Sequence, residues 1–356
     1  MRSVKLFEPL QLRSVTLRNR IGVSPMCQYS VADGLVGNWH LVHLGSRAVG
    51  GAGLVFAEAT AVTPEGRISP GDTGIWSDAH TDAWRPVAKF IAEQGAVPGI
   101  QLAHAGWKGS TCAPWLGGRA VLKGEGGWQP VGVGDVPFAP AYPTPKRLTV
   151  PELDALVAAW QAAALRAVEA GFRLLELHAA HGYLFHSFLS PLANHRRDDY
   201  GGSFENRTRL LLRTTKAVRD AIPAEVPLAV RLSCSDWVEG GWTIADSVRL
   251  ATLLREAGVD LVDCSSGGAS PDAKIPVGPG YQTAFAAEIR RAAGVATAAV
   301  GMITEPHQAE TIVRSGQADL VLLAREYLRD PYWAHTAARA LGADPSGIVP
   351  VQYGRA

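Results

Sequence analysis

Short apolar runs alternate with longer amphipathic stretches along almost all of the chain. The runs fall at 20–25 (RIGVSP), 54–59 (LVFAEA), 97–103 (VPGIQLA), 172–177 (FRLLEL), 228–232 (LAVRL), 261–265 (LVDCS), 297–300 (TAAV) and 320–323 (LVLL). Each is too short for an independent helix, and those with β-branched residues read as parallel strands buried on both faces. The stretches between them carry helical periodicity. Residues 151–171 and 244–258 both end in Glu-Ala-Gly, which places a glycine just past the last turn and ahead of the next strand. Thr304-Glu305-Pro306 predicts an N-cap and an early-turn proline opening a helix that runs to Gly316, and a final helix is expected over 332–341. Eight strand–helix units in series predict an α/β protein, a closed (β/α)8 TIM barrel, as one domain over residues 1–356. A doubly wound sheet would want a G-x-G-x-x-G turn after an early strand, and none is present. One stretch breaks the pattern. Residues 109–146, between the third and fourth strands, are rich in Gly, Pro and Trp without periodicity, which predicts a structureless lid or rim excursion.

Composition narrows the setting. Of 356 residues, 47% are hydrophobic and 19% charged, the balance of a globular protein with a large core. Lys plus Arg number 34 against 33 Asp plus Glu, so the formal charge of +1 offers no pull toward nucleic acid. No apolar run reaches the roughly 18 residues of a membrane span. The opening MRSVKLFEPLQLRSVTLRNR interrupts its apolar positions with charges, unlike a secretory signal. Cys27, Cys112, Cys234 and Cys264 are widely spaced and form no Cys-x-x-Cys pair, which argues against a zinc ribbon, an iron–sulfur cluster or a disulfide framework. A cytoplasmic protein with reduced thiols is expected.

In such barrels chemistry sits at the C-terminal ends of the strands. The residues found there are Ser24 to Cys27, Glu58 to Thr60, Gln101 with His104, His178 to Tyr183, Arg231, Ser265, Gly301-Met302 and Arg325. Two imidazoles three residues apart would suit a metal, but no strand end supplies a matching third ligand. Either histidine alone reads as a satisfied core residue; together, beside Tyr183, they read as paired donors to an oxygen that gains negative charge. Tyr183 carries a proton at neutral pH that it can deliver, or serves as a pocket wall. Arg231 ends an apolar run, where a structural ion pair or an anionic ligand would explain it. Gly301 after the seventh strand and Arg325 after the eighth occupy the place where many barrels hold a phosphate.

With their neighbours, these residues resemble the old yellow enzyme family of FMN-dependent ene-reductases, in its bacterial subgroup with a cysteine beside the flavin. The match runs from Leu6-Phe7-Glu8-Pro9 to Gln352-Tyr353-Gly354-Arg355. Its landmarks include Ser24-Pro25-Met26-Cys27-Gln28-Tyr29, Trp39-His40, Glu58-Ala59-Thr60-Ala61, Gln101-Leu102-Ala103-His104-Ala105-Gly106, His178-Ala179-Ala180-His181-Gly182-Tyr183-Leu184 and Asp199-Tyr200-Gly201-Gly202. The resemblance implies that Ser24, Pro25, Met26 and Cys27 line the flavin, with Ala59 and Gln101 at its pyrimidine edge. Arg231 would sit near the flavin N1 and C2 carbonyl, and Gly301, Ala324 and Arg325 would hold the FMN phosphate. His178 and His181 would bind the substrate's carbonyl oxygen, Tyr183 would protonate its α-carbon, and Tyr29 would form part of the substrate wall. Trp107 stands where relatives usually have arginine, and Ala324 where they usually have glycine. The dense C-terminal cysteine cluster of iron–sulfur relatives is lacking.

The implied activity is NAD(P)H-dependent reduction of an α,β-unsaturated carbonyl compound, with NADPH or NADH reducing the flavin and hydride then passing from flavin N5 to the β-carbon. A phosphate-substrate lyase or isomerase is the rival enzyme, though no Schiff-base lysine or carboxylate base stands at a strand end. A non-catalytic flavin-binding barrel is the rival outside enzymes. The tail adds one expectation. The subgroup's Gln-Tyr-x-Arg ending reaches a neighbouring subunit, which implies a homodimer or larger assembly with Arg355 lining the partner's substrate pocket.

Overall fold

The computed structural model describes residues 4–355. An antiparallel hairpin, β1 (Leu10–Leu12) and β2 (Val15–Leu17), leads into β3 (Ile21–Val23) and the barrel. There follow α1 (Asn38–Val49), β4 (Leu54–Ala61), α2 (Asp78–Glu93) and β5 (Val97–Ala103). Beyond the excursion, with its short β6 (Val131–Gly132) and β7 (Lys146–Arg147), come α3 (Val150–Glu169), β8 (Leu174–Ala179), α4 (Leu184–Leu189) and α5 (Phe204–Ala221). The second half runs β9 (Leu228–Ser233), α6 (Ile244–Glu256), β10 (Leu261–Ser265), α7 (Thr283–Ala293), β11 (Ala296–Val300), α8 (Pro306–Arg314) and β12 (Leu320–Leu323). Two last helices, α9 (Arg325–Arg329) and α10 (Trp333–Leu341), complete it. Strands β3, β4, β5, β8, β9, β10, β11 and β12 pair in parallel and close on themselves, the (β/α)8 barrel that the pattern predicts. Among the described residues no helix is long and apolar enough to cross a membrane.

Two apolar layers hold the barrel. Between strands and helices lies the main core, with the buried Trp84, Trp160 and Phe172. Inside the barrel, Leu54, Phe56, Leu174, Leu261 and Leu320 pack with Leu10, Leu12 and Leu17 of the hairpin, which thereby stoppers the N-terminal mouth. The interior toward the C-terminal ends is different. There Gln101, Glu176, Arg231 and Asp263 are all buried. The parallel register sets Gln101 beside Glu176, His178 beside Arg231, and Arg231 beside Asp263. Polar groups in such a place must satisfy one another or a ligand, because burying an unpaired charge costs several kcal/mol.

The helix boundaries follow local chemistry. Thr149 and Glu152 form a capping box on α3, and Thr243 with Asp246 does the same on α6. The Glu-Ala-Gly endings close as expected, with Gly171 at φ 102° and Gly258 at φ 92°. Helix α8 departs from expectation by one residue: its N-cap is Glu305, not Thr304. The Thr304 N–H is taken by Gln308 Oε1 at 3.1 Å and its carbonyl by Trp333 Nε1 at 2.9 Å, so Thr304 is fastened outside the helix. Residues 109–146 are not structureless. They form single 3-10 turns at Pro114–Leu116 and Lys123–Glu125 and a two-stranded patch of β6 on β7.

Candidate active site

His178 stands near the end of β8, and the turn that follows carries His181 and Tyr183, with the peptides of His181 and Gly182 held on both sides. His181 adopts φ 61° and Gly182 φ 75°, left-handed conformations that bend the chain sharply at the strand end. The His181 N–H donates to Ser233 Oγ at 2.9 Å, and its carbonyl accepts from Lys108 Nζ at 2.8 Å. The Gly182 N–H donates to His186 Nδ1 at 2.8 Å, and the Gly182 carbonyl accepts from Trp107 Nε1 at 2.6 Å. A side chain at Gly182 would collide with the Gly268 carbonyl, its Cβ only 2.0 Å from that oxygen. Behind the turn, His186 Nε2 meets Asp236 Oδ1 at 2.9 Å, and both side chains are fully buried. Asp236 also accepts from Ser190 Oγ and the Trp242 N–H, which fixes the pair in orientation.

This scaffold sets the rings edge to face. His178 lies 5.1 Å from His181 and 5.0 Å from Tyr183, centroid to centroid. Burial, and then the charge of Arg231, holds both imidazoles well below the ordinary histidine range, so both are neutral at pH 7. The Ala180 N–H donates to His178 Nδ1 at 3.3 Å, which places the ring proton on Nε2. His181 Nε2 pairs with Ser265 Oγ at 2.7 Å. Burial raises the Tyr183 phenol well above its ordinary value, so it keeps its proton. Lys108 is buried too, which lowers its ammonium to about 7; it lies 5.7 Å from the Tyr183 ring centre.

On the barrel axis side, Arg231 ties β9 to its neighbour β10 and, across the barrel, to the segment that follows β3. Its Nε lies 3.1 Å from Asp263 Oδ2, its Nη1 donates to Ser24 Oγ at 3.2 Å, and Nη2 makes no hydrogen bond among the described residues. The structural ion pair therefore exists, yet it engages one edge of the guanidinium and leaves the other open. Gln101 Nε2 donates to Glu176 Oε2 at 2.6 Å, and Gln101 Oε1 has no partner among the described residues. Pro25, Met26 and Cys27 are half-buried after β3, while Ala59 and Tyr183 line one small cavity. Tyr29 adopts φ 51° and packs edge-on against Trp115 of the excursion at 5.5 Å.

The opposite side of the rim is open. Arg325 is exposed and makes no hydrogen bond or ion pair among the described residues. Gly301 adopts φ 120°, and a Cβ there would sit 2.7 Å from Gln282 Nε2, so only glycine fits this bend. Ala324 precedes Arg325 with φ −105° and ψ −94°. Arg355 is exposed as well and is joined by no hydrogen bond to His178, His181 or Tyr183. Among the described residues no group of three His, Cys, Asp or Glu converges as a metal site requires.

These groups fit a flavin mononucleotide: an unpartnered guanidinium beside a glycine bend for the phosphate, and Arg231 Nη2 with Gln101 Oε1 for a heterocycle bearing carbonyls and N–H groups. The profile of the NADH:flavin oxidoreductase / NADH oxidase family matches residues 5–343. The chain belongs to this family. FMN is accordingly its cofactor and NAD(P)H its reductant. An NADPH dehydrogenase of Geobacillus sp. (strain WCH70) is 49% identical over 351 residues, spanning 98% of both chains. The old yellow enzyme homologue from Zymomonas mobilis superposes with a TM-score of 0.78 at 26% identity, over 97% of this chain and 98% of that one. A 2-naphthoyl-CoA reductase bound to 2-naphthoyl-CoA superposes at 0.85 with 26% identity; this chain spans 53% of its length.

Sequence reasoning missed the supports. Glu176 lies two positions before His178 and so faces the same side of β8, and Asp263 sits charged inside LVDCS just as Arg231 does inside LAVRL. Those signals were legible. Lys108, His186 and Asp236 carried none, because their partners come from distant segments.

Proposed function

We propose that the chain is an ene-reductase of the cysteine-containing subgroup, a single FMN-binding barrel domain that reduces α,β-unsaturated carbonyl compounds. The observation that carries this reading is the neutral, edge-to-face pair His178 and His181 with Tyr183 beside it. FMN, when bound, takes hydride from NADPH or NADH and delivers it to the β-carbon of the substrate. Ser24, Pro25, Met26, Cys27 and Ala59 line the ring, while Gln101 and Arg231 meet its polar edge. Gly301, Ala324 and Arg325 hold the phosphate. His178 Nε2–H and a His181 Nδ1–H, with Ser265 donating to the other ring nitrogen, point two donors at the carbonyl oxygen as its negative charge grows. Tyr183 protonates the α-carbon, and Tyr29 walls the substrate. The neutrality of the imidazoles matters, since a charged pair would repel Arg231.

Stopped-flow absorbance separates the two half-reactions. Tyr183→Phe should leave flavin reduction by NADPH within about two-fold and slow enone reduction by about 10²-fold. Equal slowing of both would remove Tyr183 from the proton-donor role.

The tail supports self-association as a dimer or larger assembly. Val351 is 91% exposed and Tyr353 40% exposed in the monomer, although Tyr353 packs on Tyr332 at 5.9 Å. Apolar bodies displayed beside an unpaired Arg355 suit a surface that a second copy covers. A cytoplasmic location suits four cysteines that are all free.

A further inference from the structure

Glu176 and Asp263 are fully buried carboxylates with no place in the steps above. Asp263 on β10 sits beside Arg231, its Oδ2 3.1 Å from Nε, while Glu176 on β8, two positions before the residue paired with Arg231, lies near enough to feel its charge and accepts from Gln101 at 2.6 Å. Among the described residues Glu176 Oε1 and both Asp263 oxygens lack hydrogen bonds, so the Gln101 bond and the Arg231 ion pair leave acceptor capacity on both carboxyls unspent. The other titratable groups facing the set are His178 and His181, both neutral; Cys264, next to Asp263 but turned to the helix side of β10, has its thiol raised well above the ordinary range by burial.

We propose that Asp263 and Glu176 are positioning residues that set the net charge Arg231 presents to the flavin, and thereby how readily the bound flavin is reduced. The inference rests on the reading of Arg231 as the cation at the flavin's pyrimidine edge. Its physical basis is the low-dielectric barrel interior, where a counter-ion in contact with Arg231 offsets part of the attraction that Arg231 exerts on negative charge in the ring. Burial and the neighbouring Asp263 push the Glu176 carboxyl up to about 8, whereas Asp263, raised by burial and pulled back by Arg231, lies at about 6. At pH 7 the set therefore holds one cation and one anion, with Glu176 carrying a proton. As pH rises through about 8, Glu176 ionises and adds a second negative charge, which disfavours electron uptake.

The test is a spectroelectrochemical titration of the FMN-loaded enzyme across pH, with flavin content and thermal unfolding measured in parallel. Asp263→Asn should raise the flavin midpoint at pH 7 by a tenfold shift in the reduction equilibrium, about 30 mV for two electrons. Glu176→Gln should match the wild type well below pH 8 and lack its extra downward slope above. This second variant is close in shape and keeps a partner for Gln101, so it stands even if Asp263→Asn folds poorly. Arg231→Met separates the two readings. If it leaves both midpoint and FMN affinity unchanged, Arg231 does not face the flavin and the parent reading falls. If it lowers the midpoint while Asp263→Asn and Glu176→Gln follow the wild type at every pH, the counter-ion inference alone is overturned.

Discussion

The two halves of the barrel rim are built in opposite ways. On the β8–β10 side, His181, Gly182 and their neighbours are tied through backbone and side chain to Lys108, Trp107, Ser233, Ser265 and His186. On the β11–β12 side, Arg325 stands exposed with no partner among the described residues, across from the tight glycine bend at Gly301. The difference follows from what each must do. Donors aimed at a developing charge act through preorganisation, and preorganisation needs partners for every peptide of the turn. A phosphate clamp meets a charge that is already fully formed, so the ligand itself can complete it. Rigidity is invested where charge changes during the reaction, and left out where it does not.

Four substitutions and one deletion would break or sharpen that contrast. The largest effect is expected on the tied side. His178→Ala or His181→Ala should cut enone turnover by roughly 10²–10³-fold while FMN remains bound. Loss of FMN from His178→Ala with full activity restored on adding it back would reverse the assignment. On the open side, Arg325→Ala should weaken FMN binding by roughly 10- to 100-fold, the range for a hydrogen bond to a charged group. Its turnover at saturating FMN should stay near that of the wild type, and thermal unfolding of the apoprotein should hardly move, since Arg325 has no partner to lose. A large drop in apoprotein stability would show that Arg325 is a structural residue. The smallest effect concerns a second unpartnered cation. Arg355→Ala should change enone KM or kcat by only about a few-fold, since exposed ion pairs contribute about 0–1 kcal/mol. Flavin affinity should be untouched. Deleting residues 352–356 should also weaken the assembly; kinetics and light-scattering mass both equal to the wild type would make the tail an ordinary surface segment.

Much of the site was legible before any coordinates. Arg231 inside an apolar run and two histidines with a tyrosine at one strand end are anomalies of composition, and anomalies in buried places point to chemistry. Trp107 shows the opposite case. In the sequence it is marked only by its departure from relatives, whereas in the fold its indole N–H is spent on the Gly182 carbonyl at 2.6 Å. The excursion taught a similar lesson: Gly, Pro and Trp without periodicity signalled a loop, but Trp115 packs on Tyr29 and Trp128 Nε1 donates to the Glu65 carbonyl at 3.0 Å.

By itself the sequence determined the barrel, because eight buried strands and their capped helices are local patterns whose period and punctuation survive without knowledge of neighbours. It also determined which strand ends carry chemistry, because strand direction decides which end that is. Tertiary structure decided the rest. The pairing of His186 with Asp236, the reach of Lys108 to the His181 and Gly268 carbonyls, and the placement of Asp263 and Glu176 near Arg231 depend on barrel closure and strand register. Those contacts join residues tens to more than a hundred positions apart, and electrostatic and hydrogen-bond energies depend on separations of a few ångströms that no local pattern encodes.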